Sequence, residues 1–237
     1  MKETIVNITP ETGIGQIAAS HPLATRVFSR HKLDFCCGGG RAIGDVCLEN
    51  GLDTNAVITE IAKELDSTVA EVRWDEKPVL ELIDHISVAY HEPLWEELPR
   101  LEELALKVLD AHGEKEPEKF QEIADLVVAM RAELEEHMTK EEQILFPLVK
   151  EGRTNMTLGP IAVMMVEHDE AGDVLRRLRQ LTNDYDVPAE ACNTWRALWF
   201  GLNALEEALH EHIHLENNIL FPRVLHCDNS RKEAFNL

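Results

Sequence analysis

His137-Met-Thr-Lys-Glu141-Glu-Gln-Ile-Leu-Phe-Pro147 returns 75 residues further on as His212-Ile-His-Leu-Glu216-Asn-Asn-Ile-Leu-Phe-Pro222. The chain contains the same amphipathic segment twice. A histidine precedes each copy, His91 and His168, so the unit that repeats is a helix pair rather than a single helix. Long stretches mix Leu, Ala, Glu, Lys and Met at helical spacing, and aromatic residues make up only 5% of the chain. The expected class is therefore all-α. Punctuation cuts four long helices, about 78–112, 117–150, 160–183 and 188–225. Pro78, Pro117, Pro160 and Pro188 stand where a first helical turn tolerates a missing N–H. Short connections favour an up-down four-helix bundle. Pro93 and Pro99 should kink the first helix, and Pro147 and Pro222 fall near the ends of the second and fourth.

Helical phase, about 100° per residue, decides which polar side chains look inward. On the second helix His137 and Glu141 share a face with Leu126, Met130, Leu134, Ile144 and Leu148, whereas Glu142 points elsewhere. On the fourth, His212 and Glu216 join Leu198, Leu205, Leu209 and Ile219, while His210 and His214 project to the opposite, solvent side. His168 sits among Ile161, Met164, Met165, Gly172 and Leu175, and His91 at the edge of a stripe formed by Ile83, Leu94, Leu98 and Leu101. Two-fold pseudosymmetry aims four histidines and two glutamates at one interior. Burying two carboxylates without a counter-charge costs several kcal/mol each, and no inward Lys or Arg offsets it. A metal cation does.

The i, i+4 spacing of His and Glu lets each repeat offer a terminal nitrogen and a carboxylate able to bridge two metals. With a shared oxo or hydroxo group, the six side chains fill about ten of the twelve positions around two octahedral irons, leaving roughly one open position on each. Open positions admit dioxygen or nitric oxide, or let a metal leave. A single tetrahedral zinc would leave ligands surplus. His210-Glu-His212-Ile-His214 formally matches the H-E-x-x-H zinc-protease pattern, but helical phase and the first repeat copy oppose that reading. A ferritin-type Glu-x-x-His is excluded on these helices, because Leu134 and Leu209 occupy the positions three before His137 and His212.

The 237 residues carry a net charge of -21, which disfavours nucleic acid and anionic membrane surfaces as partners. No apolar run is long enough to span a membrane and the opening stretch shows no hydrophobic signal region, so a cytoplasmic chain is expected. Ahead of the bundle, expected over 77–228, residues 1–70 read as a small helical domain around the break Asp34-Phe-Cys36-Cys37-Gly-Gly-Gly40, with Asp66 to Lys77 as linker. Five cysteines in this arrangement suggest reduced thiols. Taken alone, Cys36 and Cys37 on a glycine loop near a helix start read equally as small residues packed at a turn or as a functional thiol pair, with lowered pKa values and able to bind iron or a nitrosyl group, and only the resemblance given next favours the second; Cys47, Cys192 and Cys227 read as bland thiols. Glu133, one turn before His137, is a candidate for the supporting layer or exit path of the metal, and Glu96, Glu97, Glu102 and Glu103 read as a solvated face able to guide iron outward.

His-x-x-x-Glu on two helices of a four-helix pattern resembles the hemerythrin-like di-iron proteins. Joined to Asp-Phe-Cys-Cys-Gly-Gly, the chain from about Gly15 to Leu225 resembles the iron-sulfur cluster repair di-iron family. The resemblance assigns the iron ligands to His91, His137, Glu141, His168, His212 and Glu216, the set that helical phase also selects. It implies cytoplasmic repair of iron-sulfur proteins damaged by oxidative or nitrosative stress, by donation of iron from a homodimer. Oxygen-carrying hemerythrins have a further histidine, so a more labile centre is implied here. An enzyme or sensor for nitric oxide or dioxygen is the alternative, and a metal-free structural bundle a third.

Overall fold

The computed structural model describes residues 8–66 and 72–226, and among these the regular structure is entirely helical apart from one isolated bridge between Gly13 and Ala42. Contacts divide the chain into two compact units, residues 1–82 with 210–223, and residues 83–209 with 224–237. The last long helix contributes to both.

The first unit holds α1 (Ile14–Ser20), α2 (Ala24–Arg30), α3 (Ile43–Glu49) and α4 (Thr54–Leu65). Ile14, Ile17, Phe28, Phe35, Ile43 and Ile61 are among the side chains that close its core. Local chemistry fixes the ends of these short helices. Asp53 caps α4, its Oδ1 accepting the N–H groups of Asn55 and Ala56 at 2.8 and 3.1 Å. α3 stops at Gly51, whose φ of 68° allows Leu52 N–H to reach the Cys47 carbonyl at 2.9 Å. α2 stops the same way at Lys32, with φ 55° and Leu33 N–H on the Phe28 carbonyl.

The second unit carries the helical bundle. α5 (Val79–Ile86) passes through a π-helical turn, Ser87–His91, into α6 (Glu92–His112); α7 (Pro117–Lys140) passes through Glu141–Leu145 into α8 (Phe146–Lys150); α9 spans Leu158–Leu181 and α10 spans Asn193–Leu215. α6 packs along α7 and α7 along α9. α10 closes the set. Its Gly201 lies against Leu101 of α6, its Trp195 meets Phe120 of α7 at 5.1 Å between ring centroids, and its Glu206 accepts a hydrogen bond from Arg179 of α9 at 3.1 Å. No described helix is long and apolar enough to cross a membrane.

Several expectations need correction. Pro188 precedes α10 in a turn, with Ala191 N–H on its carbonyl, and the helix begins only at Asn193. Pro99 sits inside α6 without interrupting it. Met165 and Ile144 are exposed, and Leu126 and Leu148 only half-buried. His214, expected in solvent, is 5% exposed. Its face of the helix is covered by the first unit's own residues, since Phe35 packs edge-on against the imidazole at 5.5 Å. Cys227 lies outside the described residues, as do 67–71 of the expected linker.

Candidate metal centre

Three π-turns organise the ligand-bearing helices, and each is followed at the same distance by proline. Ser87–His91 precedes Pro93, Glu141–Leu145 precedes Pro147, and Glu216–Leu220 precedes Pro222. In each, the N–H after the turn reaches five residues back, to the carbonyl of Ser87, Glu141 or Glu216. Proline donates no hydrogen bond and crowds the carbonyl four residues before it, so one extra residue in the preceding turn relieves the clash. The inserted residue also rotates everything downstream by about 100°. After Glu141 the buried positions are therefore Leu145, Phe146 and Val149, where an uninterrupted α-helix would bury Ile144 and Leu148. His91 ends its turn, whereas Glu141 and Glu216 begin theirs.

In the bundle unit His91, His137, Glu141 and His168 are brought together, none more than 3% exposed. The ligand-type atoms of His137, Glu141 and His168 lie within 4.8 Å of one another. Glu141 takes His91 Nε2 at 3.3 Å and His137 Nε2 at 3.4 Å, and His168 Nε2 stands 3.1 Å from His137 Nε2. The outer ring nitrogens fix the tautomers. His91 Nδ1 donates to Glu142 at 2.9 Å, and His137 Nδ1 donates to Glu167 at 2.9 Å. A carboxylate only accepts, so the proton of each neutral imidazole stays on Nδ1 and Nε2 offers a lone pair to the interior. There it meets the acceptor oxygens of Glu141. A cation between them would satisfy both sets of lone pairs, and nitrogen with carboxylate oxygen is a donor set that iron accepts.

Glu142 and Glu167, which the sequence reading passed over, take the outer ring nitrogens of His91 and His137. Glu142 lies off the inward face of its helix, yet reaches across to another element; Glu167 immediately precedes His168 and is held from its other oxygen by Lys140 Nζ at 2.6 Å. The only sequence signal for either is an acidic neighbour beside a ligand. Burial pushes the Glu167 carboxyl upward, but Lys140 and His137 outweigh it and hold the group below the ordinary glutamate range. A cleft of about 240 Å³ opens onto this side and is lined by Glu133, Glu136, His137, Lys140, Glu167 and His168. Glu97, Glu102 and Glu103 are ion-paired with Arg100, Arg131 and Lys107.

In the first unit, His212 Nε2 faces Glu216 Oε1 at 2.9 Å, both side chains being buried. His214, two residues on, takes no part: Asn218 Nδ2 donates to its Nδ1 at 3.1 Å. Burial brings its pKa down to about 4, opposed by the Ala18 carbonyl. The H-E-x-x-H reading fails because His214 is committed to the first unit's packing, not because it meets solvent.

The cysteine pair also sits in the first unit. Cys36 is buried and Cys37 half-buried, their sulfurs 3.7 Å apart, and neither forms a disulfide. The expected lowering of the Cys36 pKa is overturned. Its hydrogen bond with Cys37, then burial and the neighbouring Cys37 and Asp34 charges, raise it well above the ordinary thiol value. Cys47 is a core residue, and exposed Cys192 lies 3.2 Å from His112 Nε2.

Residues 82–224 match the model of the hemerythrin HHE cation binding domain, and residues 10–65 match that of a domain of unknown function, DUF542. Over 212 residues the chain is 42% identical to the iron-sulfur cluster repair protein YtfE of Escherichia coli O81 (strain ED1a), covering 90% of this chain and 96% of the relative. The same identity and coverage hold for the proteins of that name from Escherichia coli O1:K1 / APEC and Escherichia fergusonii.

Proposed function

The chain belongs to the hemerythrin-like iron-sulfur cluster repair family, and from that membership we propose that it restores damaged iron-sulfur proteins by giving up iron. His91, His137, Glu141, His168, His212 and Glu216 are the residues that would hold two irons, together with an oxo or hydroxo group. The observation that carries the reading is the set of inward lone pairs on His91 and His137 converging on the Glu141 carboxylate. When bound, the irons supply redox-active Lewis-acid centres. The chain's own residues do the rest. Glu142 and Glu167 hold the His91 and His137 protons at Nδ1 and orient the rings, burial excludes water, and the cleft beside Glu133 and Glu136 gives the departing ion an acidic path.

Four histidines without the further one of oxygen carriers leave the cargo more loosely held, as a donor requires. The same reading places the chain in the cytoplasm, as a homodimer acting under oxidative or nitrosative stress. Mixing iron-loaded protein with an enzyme whose cluster has been damaged by nitric oxide tests it: activity should return as iron leaves this chain. Continued inactivity, with iron still bound here, would contradict donation. The cleft at His137 and His168 favours one second reading, in which nitric oxide or dioxygen enters there and repair is indirect. Multiple turnover of nitric oxide by the reduced form would support that alternative; reaction once per centre would not.

A further inference from the structure

The loop between α2 and α3 gathers a second set of ligand-type side chains, distinct in chemistry from the histidine cluster. Asp34, Cys36 and Cys37 place one carboxylate oxygen and two sulfurs within 4.8 Å of one another. The sulfurs are 3.7 Å apart. Two thiolates bound at about 2.3 Å to one tetrahedral ion stand about 3.8 Å apart, whereas a disulfide requires about 2 Å.

The loop is held in this shape from both sides. Asp34 Oδ1 accepts the N–H groups of Cys36, Cys37 and Gly38 at 3.1, 3.0 and 3.3 Å, which folds the chain around the carboxylate. Asn218 Nδ2 donates to the Phe35 carbonyl at 3.1 Å and Asn217 Nδ2 to the Cys36 carbonyl at 3.4 Å. Gly39 makes this approach possible, since a Cβ there would collide with Asn218 Oδ1. Asn217 and Asn218 belong to the π-turn that starts with Glu216, so the thiol loop is tied to a segment bearing a proposed iron ligand.

We propose that Asp34, Cys36 and Cys37 form a second metal site, for a thiophilic divalent cation of the Fe2+ or Zn2+ class, with the fourth position left to a donor from solvent or another molecule. Binding displaces the two thiol protons to solvent, leaving two thiolates and one carboxylate around the dication. Asp34 and Cys37 are half-buried, so the ion stays accessible for exchange.

Cobalt(II) added to the full-length apo-protein distinguishes this site from the histidine cluster, because only sulfur gives a thiolate-to-cobalt charge-transfer band in the near ultraviolet. The band should rise to a plateau as cobalt is added and fall by at least half in Cys36→Ser and in Cys37→Ser, each of which keeps one of the two thiolates. Asp34→Asn keeps the oxygen that accepts the three N–H groups but loses the charge, and should weaken cobalt binding about tenfold. Circular dichroism verifies folding, and half-buried Cys37→Ser decides the matter if buried Cys36→Ser does not fold. No charge-transfer band in the parent chain, an undiminished band in folded Cys37→Ser, or unchanged affinity in Asp34→Asn would each overturn the proposed site.

Discussion

Replacing Glu167 by alanine perturbs the iron centre without touching a proposed ligand. Glu167 accepts the Nδ1 proton of His137 at 2.9 Å, and that hydrogen bond leaves the inward nitrogen bare. Without it the imidazole can rotate or shift its proton inward, where it competes with the metal. Removing such a supporting acceptor weakens metal binding by about 10- to 100-fold, or roughly 1.4–2.8 kcal/mol. The Glu167 side chain is 24% exposed and Glu142, its counterpart on His91, 39%. Water replaces the lost acceptor more readily at the more exposed position. Glu167→Ala should therefore fall toward the upper end of the range and Glu142→Ala nearer tenfold, while Glu167→Gln, which keeps an acceptor oxygen, should recover most of the loss. Competition for Fe2+ against a chromophoric chelator under anaerobic conditions gives the affinities directly. Affinity of folded Glu167→Ala within twofold of the parent would refute the orienting role, and a larger loss in Glu142→Ala would refute the exposure argument.

The register set by the second π-turn predicts that Leu145→Ala costs about 2–5 kcal/mol in urea unfolding, while Ile144→Ala stays within about 1 kcal/mol; a straight helix would reverse the order. Glu206 is 4% exposed, so Arg179→Leu, which removes the guanidinium facing it, should destabilise the chain by about 3 kcal/mol, and Glu206→Leu added to it should restore most of that in the same assay. In the first unit, His31 and then Arg30 hold the Glu60 carboxyl below its ordinary value. A folded pKa below the unfolded one stabilises above the unfolded pKa and fades as pH falls through the folded pKa. Urea midpoints of parent and Glu60→Gln should thus differ slightly near neutrality, converge on acidification, and lose the difference in high salt.

The sequence repeat and the i, i+4 spacing were enough to expect His137 beside Glu141 and His212 beside Glu216, both pairs buried, because one turn of helix is a short and reliable ruler. Pro93 was legible as a kink and Pro147 and Pro222 only as residues near helix ends, but not the π-turn that precedes each. A kink bends a helix and preserves its phase, whereas a π-turn adds a residue, which is why Ile144 was expected inside and Leu145 was found there. Phase arguments also assume that a helix has one wet face. At His214 that assumption fails, since Phe35, distant in sequence, occupies the other side. Glu142 and Glu167 escaped notice because their role is defined by the histidine each meets from another element. The Cys36 pKa went in the opposite direction to expectation for a similar reason: the folded loop sets its thiol against Cys37 and buries it, and the neighbouring Asp34 carboxylate adds to the rise.

Iron quantified per folded chain, in the parent and in His137→Ala and Glu216→Gln, tests most directly whether equivalent helix pairs supply a shared two-iron centre. Two irons in the parent and fewer than one in each variant is the expected result. Two irons retained in both variants would contradict it.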